Sequence, residues 1–172
     1  MQQDSLTLYK LIILYMLDRA DFSLTNAQIS DFILTKGYTT YFKLQQAISE
    51  LCETELIREE ITHNRTLYHL TEDGAESIQF FKNKISKAIQ EDIDNFMKEK
   101  KYELKNESAV KADYYKNTAG EYSVRCQVLE EQEPLIELTL SVPSENEAET
   151  IAANWQKKNQ KVYAWLMAEL LE

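Results

Sequence analysis

Residues 6–17 (LTLYKLIILYML) are apolar almost all round, the pattern of a helix buried on most of its sides. Residues 21–24 (DFSL) interrupt that pattern. Residues 25–28 (TNAQ) then have the spacing of a capping box, in which a Thr hydroxyl and a Gln side chain satisfy the exposed amides of a new helix. Ile29, Phe32 and Ile33 follow at i, i+3 and i+4, and Gly37 stands where a left-handed cap ends the helix. Thr39 or Thr40 can cap a third helix, running to about Thr54, with Leu44, Ala47, Ile48 and Leu51 on one side. Its opposite side carries Phe42, Gln46, Ser49 and Glu53, flanked by Lys43, Gln45 and Glu50.

Two short strand-like runs come next, residues 56–62 and 66–70, joined by His63, Asn64 and Arg65, so the segment predicts a hairpin with a polar, basic turn. Thr71 is placed to cap another helix whose first turn is acidic, the favourable sign for the positive end of a helix dipole. From Glu76 to about Lys100 the apolar residues Ile78, Phe81, Ile85, Ile89, Ile93 and Phe96 recur every three or four positions, which predicts one long helix with one apolar stripe. That stripe suits either a second domain of the same chain or the same helix of a second copy. Runs at 102–115, 122–130 and 135–142 predict a three-stranded antiparallel meander. After Pro143, Ser144 caps a terminal helix carrying Ile151, Ala152, Trp155, Val162, Trp165, Leu166 and Leu170, expected to cover one face of the sheet.

These elements predict an α+β protein: an N-terminal winged helix-turn-helix over residues 1–75, a long connecting helix over 76–100, and a C-terminal α+β domain over 101–172 in which a three-stranded antiparallel sheet is covered by a helix. With three glycines and two prolines in 172 residues, helix should dominate. No apolar run is long enough to span a bilayer and the start lacks the features of a signal peptide, so the expectation is a cytoplasmic protein without a membrane partner. Cys52 and Cys126 lie far apart and outside any CxxC or Cys/His cluster, which predicts reduced packing residues.

Charge changes the picture. The net charge is −10, and over residues 1–75 the six basic side chains (Lys10, Arg19, Lys36, Lys43, Arg58, Arg65) against eleven acidic ones leave −5. Nucleic-acid binding draws much of its affinity from Lys and Arg at phosphates, so few such contacts are on offer.

Candidate chemistry is sparse. No Gly-rich phosphate loop, GxSxG elbow, HExxH or Walker-type run is present, so neither an enzyme nor a cofactor is expected. His63 and His69 stand six apart with no third ligand at suitable spacing, which makes them hairpin residues and not a metal pair. The acids Glu50, Glu53, Glu55, Glu59 and Glu60 fit a solvated face. On the third helix Gln45 and Gln46 have the amide geometry for adenine edges, Lys43 and Arg65 suit phosphate or guanine, and Thr40, Ser49, His63 and Asn64 add polar contacts. Phe42 is out of place in water and suits a thymine methyl, a neighbouring loop or a protein interface.

The run from Leu11 to Gly74, with LTNAQISDFILTKGYTTYFKLQQAISEL and then THNRTLYHLTEDG, resembles a family of small bacterial winged-helix proteins of unassigned function and regulatory type. At greater distance it is similar to PadR-like transcriptional regulators, in which a helix beyond the wing contributes to a dimer. The resemblance implies a homodimeric regulator that binds double-stranded DNA with helix 3 in the major groove and residues 63–65 as the wing, and the stripe from Ile78 to Phe96 would serve dimerisation. The second domain would then sense a small effector or assist the dimer. The alternative is a protein-interaction module that keeps the scaffold without binding DNA, which the acidic balance of residues 1–75 favours.

Overall fold

A computed structural model describes residues 2–63 and 65–172, with residues 2–4 described in backbone only. Among these the protein is α+β, with six α-helices and two three-stranded antiparallel sheets. Two compact units emerge, Met1–Ile61 with Arg65–Lys105 and Thr62–Asn64 with Asn106–Glu172.

The first unit is built around α1 (Gln2–Ala20). Leu11 to Leu17 are all buried, as an all-round apolar helix requires. Strand β1 (Leu24–Thr25) follows, too short to announce itself in the sequence. Helix α2 (Asn26–Lys36) opens on the expected capping box of Thr25 and Gln28 and closes on Gly37, whose φ of 72° is the left-handed conformation that glycine adopts without strain. Helix α3 (Tyr41–Glu53) is capped by Thr40 and buries Leu44, Ala47, Ile48 and Leu51. Strands β2 (Ile57–Ile61) and β3 (Thr66–Leu70) form the expected hairpin, with Ile57 opposite Leu70 and Glu59 opposite Tyr68. β1 adds to the far edge of β3, so the sheet order is β1-β3-β2.

The predicted single helix over 76–100 is instead two. Helix α4 (Glu72–Phe81), capped by Thr71, gives way to a 3-10 turn at Lys82–Lys84, and α5 (Lys87–Ala109) begins afresh. Two local features cause the break: Ile85 is extended, at φ −88° and ψ 131°, and the Ser86 hydroxyl accepts from the Ile89 amide as an N-cap does. Gln90 Nε2 then donates to the carbonyls of Lys82 and Ile85 that the break leaves open. With the chain bent here, Ile78, Ile85 and Ile93 all enter the first unit's own core beside α1.

Helix α5 is pinned to the unit by polar contacts as well. Tyr15 Oη donates to Asp94 at 2.9 Å, with Arg19 beside the same carboxylate at 3.3 Å, and Tyr38 Oη donates to Asp92. Buried Gln28 does two jobs at once. Its Oε1 accepts from the Thr25 amide at 2.9 Å in the capping box, and its Nε2 donates to the Leu104 carbonyl at 3.1 Å. Gln28→Leu should therefore cost about 2 kcal/mol, the sum of a lost cap and a buried carbonyl left short of a donor. The shift of the urea midpoint measures this, and a midpoint equal to wild type would show that the bond to Leu104 adds nothing.

In the second unit, β4 (Val110–Lys116), β5 (Tyr122–Glu130) and β6 (Glu133–Val142) pair in that order as the expected meander. The first strand starts later than the expected residue 102, because the helical spacing of Ile93, Met97, Leu104 and Ser108 carries α5 on to Ala109. Helix α6 (Glu145–Leu170) opens on a capping box of Ser144 and Glu147 and lies on the sheet. Ala148 and Ala152 let the helix approach closely over Val124 and Cys126, Trp155 Nε1 donates to the Gln127 carbonyl at 3.0 Å, and Gln156 Nε2 donates to the Val110 carbonyl at 3.1 Å.

Candidate nucleic-acid interface

Helix α3 is positioned from beneath and from both sides. Its apolar face is fully buried, its N-terminus is capped by Thr40, whose hydroxyl accepts from the Lys43 amide at 3.4 Å, and Glu50 pairs with Lys10 of α1 at 3.1 Å. Gln45 Nε2 donates to Asn26 Oδ1 at the start of α2, at 3.0 Å. These contacts separate the expected interface residues into two groups. Thr40 and Gln45 act as supports for the helix, and the expectation that Gln45 is presented outward with Gln46 is corrected, because its amide is taken up by Asn26. Phe42, Lys43, Gln46 and Ser49 are exposed together along one face.

That face spans about 10 Å from Phe42 to Ser49 at the helical rise. Phe42 is 80% exposed and Tyr41 beside it 55%, an unusual concentration of aromatic surface on a helix whose other side is locked into the core. An aromatic ring, an ammonium, an amide and a hydroxyl in this order along the helix can make apolar contact, donate and accept with a partner surface.

The hairpin residues are placed differently. His63 belongs to the second unit, where its backbone amide donates to Asp113 Oδ1 at 3.2 Å, its ring Nδ1 contacts the same carboxylate oxygen, and its ring stacks on Tyr114 with centroids 3.9 Å apart. It is therefore already engaged. Asn64 lies outside the described residues, and Arg65 is half-buried just before β3. His69 contacts Glu60 across the hairpin at 3.3 Å, so the two histidines have separate carboxylate partners.

The expected dimerisation stripe is also corrected. Ile78, Ile85 and Ile93 are buried in the first unit's core, Ile89 and Phe96 pack partly against it, and the Phe96 ring meets that of Phe32 at 4.6 Å. Only Phe81 keeps substantial exposure, under the ammonium of Lys84. Ile78, Ile85 and Ile93 are thus spent inside the first unit.

Other chemistry finds little footing. Among the described residues no group of three or more His, Cys, Asp and Glu could hold a metal ion. Burial pushes the Cys126 thiol up to about 11 and raises that of Cys52, with Glu59 adding to the latter, so both stay protonated at neutral pH and are poor nucleophiles. Burial first, and then neighbouring Glu59, Cys52 and Tyr41, pushes Tyr68 up to about 12, the behaviour of a core phenol. No helix of the described residues is long and apolar enough to cross a membrane.

The supports of α3 and α5 escaped sequence reasoning. Lys10, Tyr15, Arg19, Lys36 and Tyr38 act on residues far along the chain, and no local spacing signals such pairs.

No curated protein and no solved structure matches the chain. A family model matches residues 9–170, and over that span the chain belongs to the family described as a domain of unknown function, DUF4364.

Proposed function

We propose that this protein is a sequence-specific DNA-binding transcriptional regulator whose first unit is a winged helix-turn-helix, with α3 entering the major groove and the β2–β3 hairpin as the wing. The observation that carries the reading is the outward face of α3, where Phe42, Lys43, Gln46 and Ser49 are exposed on a helix held rigid by its buried side and by the contacts of Gln45 and Glu50. Supporting it is the order α1-β1-α2-α3-β2-β3, with β1 closing onto β3, which is the order in which such modules present helix 3. Gln46 suits the N6 and N7 edge of adenine, Lys43 a phosphate or guanine, and Phe42 a thymine methyl.

The acidic surface sets the character of binding. With Lys43, Arg58 and Arg65 as the basic side chains of α3 and the hairpin, about three phosphates are neutralised per copy, giving a log–log salt slope of roughly −3. Most discrimination then comes from base edges. Gln46→Ala should weaken binding to the preferred duplex by about 1–3 kcal/mol while leaving scrambled duplex unchanged, and Arg65→Ala should weaken both alike and reduce the slope by about one. Fluorescence anisotropy with labelled duplexes measures both. Equal affinities of wild type and both variants for every duplex would remove α3 and the hairpin from the interface.

A second reading, a protein-interaction module on the same scaffold, is favoured by the adjacent exposure of Tyr41 and Phe42 on an acidic unit. Under that reading Phe42→Ala abolishes partner capture and no duplex binds at low salt.

A further inference from the structure

We propose that the outer edge of β6 is a self-association surface, through which two copies of the chain join their three-stranded sheets into one antiparallel sheet of six strands. The order β4-β5-β6 leaves β6 paired with β5 alone, and among the described residues no backbone group bonds to its other side. Sheet edges are ordinarily blunted by charge, proline, bulges or brevity. The opposite edge, β4, carries Lys111, Asp113 and Lys116 within seven residues. On β6 such devices stand only at the first end, in Pro134 and the irregularity at Val128 and Leu129 of its neighbour. From Ile136 to Val142 the pairing is regular, and Glu137 is the one charge. That charge is already neutralised within its own sheet: Arg125 Nε donates to Glu137 Oε1 at 2.9 Å, and Gln127 Nε2 donates to Oε2 at 3.2 Å.

The apolar side of β6 is unfinished too. The strand residues fully buried in this unit's core, Val110, Ala112, Tyr114, Val124 and Cys126, all belong to β4 and β5. β6 adds Ile136, Leu138 and Val142, which are only partly buried, and Leu140, which is 44% exposed. An added strand must therefore be extended over seven residues, about 23 Å, apolar at every second position, and must keep any carboxylate clear of Glu137. β6 read backwards meets all three conditions. Paired antiparallel about Thr139, Leu138 stands opposite Leu140 of the partner copy, Ile136 opposite Val142, and Glu137 opposite Ser141. Every match is made twice, as an isologous contact requires, and Thr139 meets its own counterpart, a favourable cross-strand pair. A slip of one residue would turn the apolar rows of the two copies to opposite faces. Backbone hydrogen bonds carry most of the affinity in such strand addition. A contact of this length belongs to the small class, below ~1,200 Å² in total, so the dimer is a reversible one. The proposal is independent of the DNA reading, because no residue of the first unit enters it.

The test uses two substitutions of opposite sign on the full-length chain, followed by sedimentation velocity across the micromolar range. Wild type should form a reversible dimer. Thr139→Glu sets two carboxylates face to face at the two-fold axis and should raise the dimer dissociation constant more than tenfold. Within its own sheet the new carboxylate lies opposite Arg125, so the fold is not what suffers, and circular dichroism should stay that of wild type. Ser141→Lys sets an ammonium opposite Glu137 of the partner copy, twice, and should lower the constant. In its own sheet that lysine replaces a hydroxyl that donates to Glu121, again a tolerated exchange. A wild type that stays monomeric would overturn the proposal and leave the edge to a foreign strand. A Thr139→Glu chain that dimerises like wild type, or a Ser141→Lys chain that dimerises less, would overturn it equally.

Discussion

Gly74→Ala should destabilise the first unit by about 3 kcal/mol or more, at the upper end of overpacking costs. The sign is what makes the expectation sharp, since Gly74 lies within α4 and alanine in a helix interior ordinarily gains about 1 kcal/mol over glycine. A Cβ at this position would stand 2.1 Å from the Leu56 carbonyl oxygen and 2.8 Å from Leu70 Cδ1. The Leu70 side chain can move, but the Leu56 carbonyl is fixed backbone, accepting from the Thr71 amide at 3.2 Å and from the Thr71 hydroxyl at 2.9 Å. Relieving the clash therefore loosens the same hydroxyl that caps α4 through the Gly74 amide. Urea unfolding followed by circular dichroism gives the answer, and a variant as stable as wild type would contradict the close approach of α4 to the start of β2.

Ile93→Ala should cost about 2–5 kcal/mol, the range for removing most of a buried aliphatic side chain and leaving a cavity. Ile93 is completely buried in the core of the first unit. The expected signature is a lowered unfolding midpoint with the oligomeric mass unchanged. Were the stripe on α4 and α5 an interface between copies, the same substitution would lower the mass and leave the stability of the single chain nearly untouched. Measuring both quantities on one variant separates the two accounts.

Local chemistry was legible in the sequence and distant pairing was not. The caps at Thr25, Thr40, Thr71 and Ser144 and the left-handed Gly37 were readable because each acts within three or four residues. The break at Ser86 was not, because Ile78, Phe81, Ile85 and Ile89 keep helical spacing straight through it and no glycine or proline marks it. The tight turn between β5 and β6 is made by Glu131 and Gln132 with positive φ of 51° and 72°, where Asn-Gly would have been the usual signal. In the candidate site, the exposure of Phe42, Lys43, Gln46 and Ser49 followed from the period of α3, whose buried positions fix the opposite face. The diversion of Gln45 to Asn26 and of His63 to Asp113 required partners 19 and 50 residues away, which no periodicity reports.

The reading of α3 as a recognition helix is tested most directly by titrating the purified protein into labelled duplex from its own upstream region and into a scrambled duplex, at low and near-physiological salt. Tighter binding to the upstream duplex that survives the higher salt is the predicted result, since few phosphate contacts leave base edges to carry the affinity. Absence of binding to either duplex, even at low salt, would contradict it.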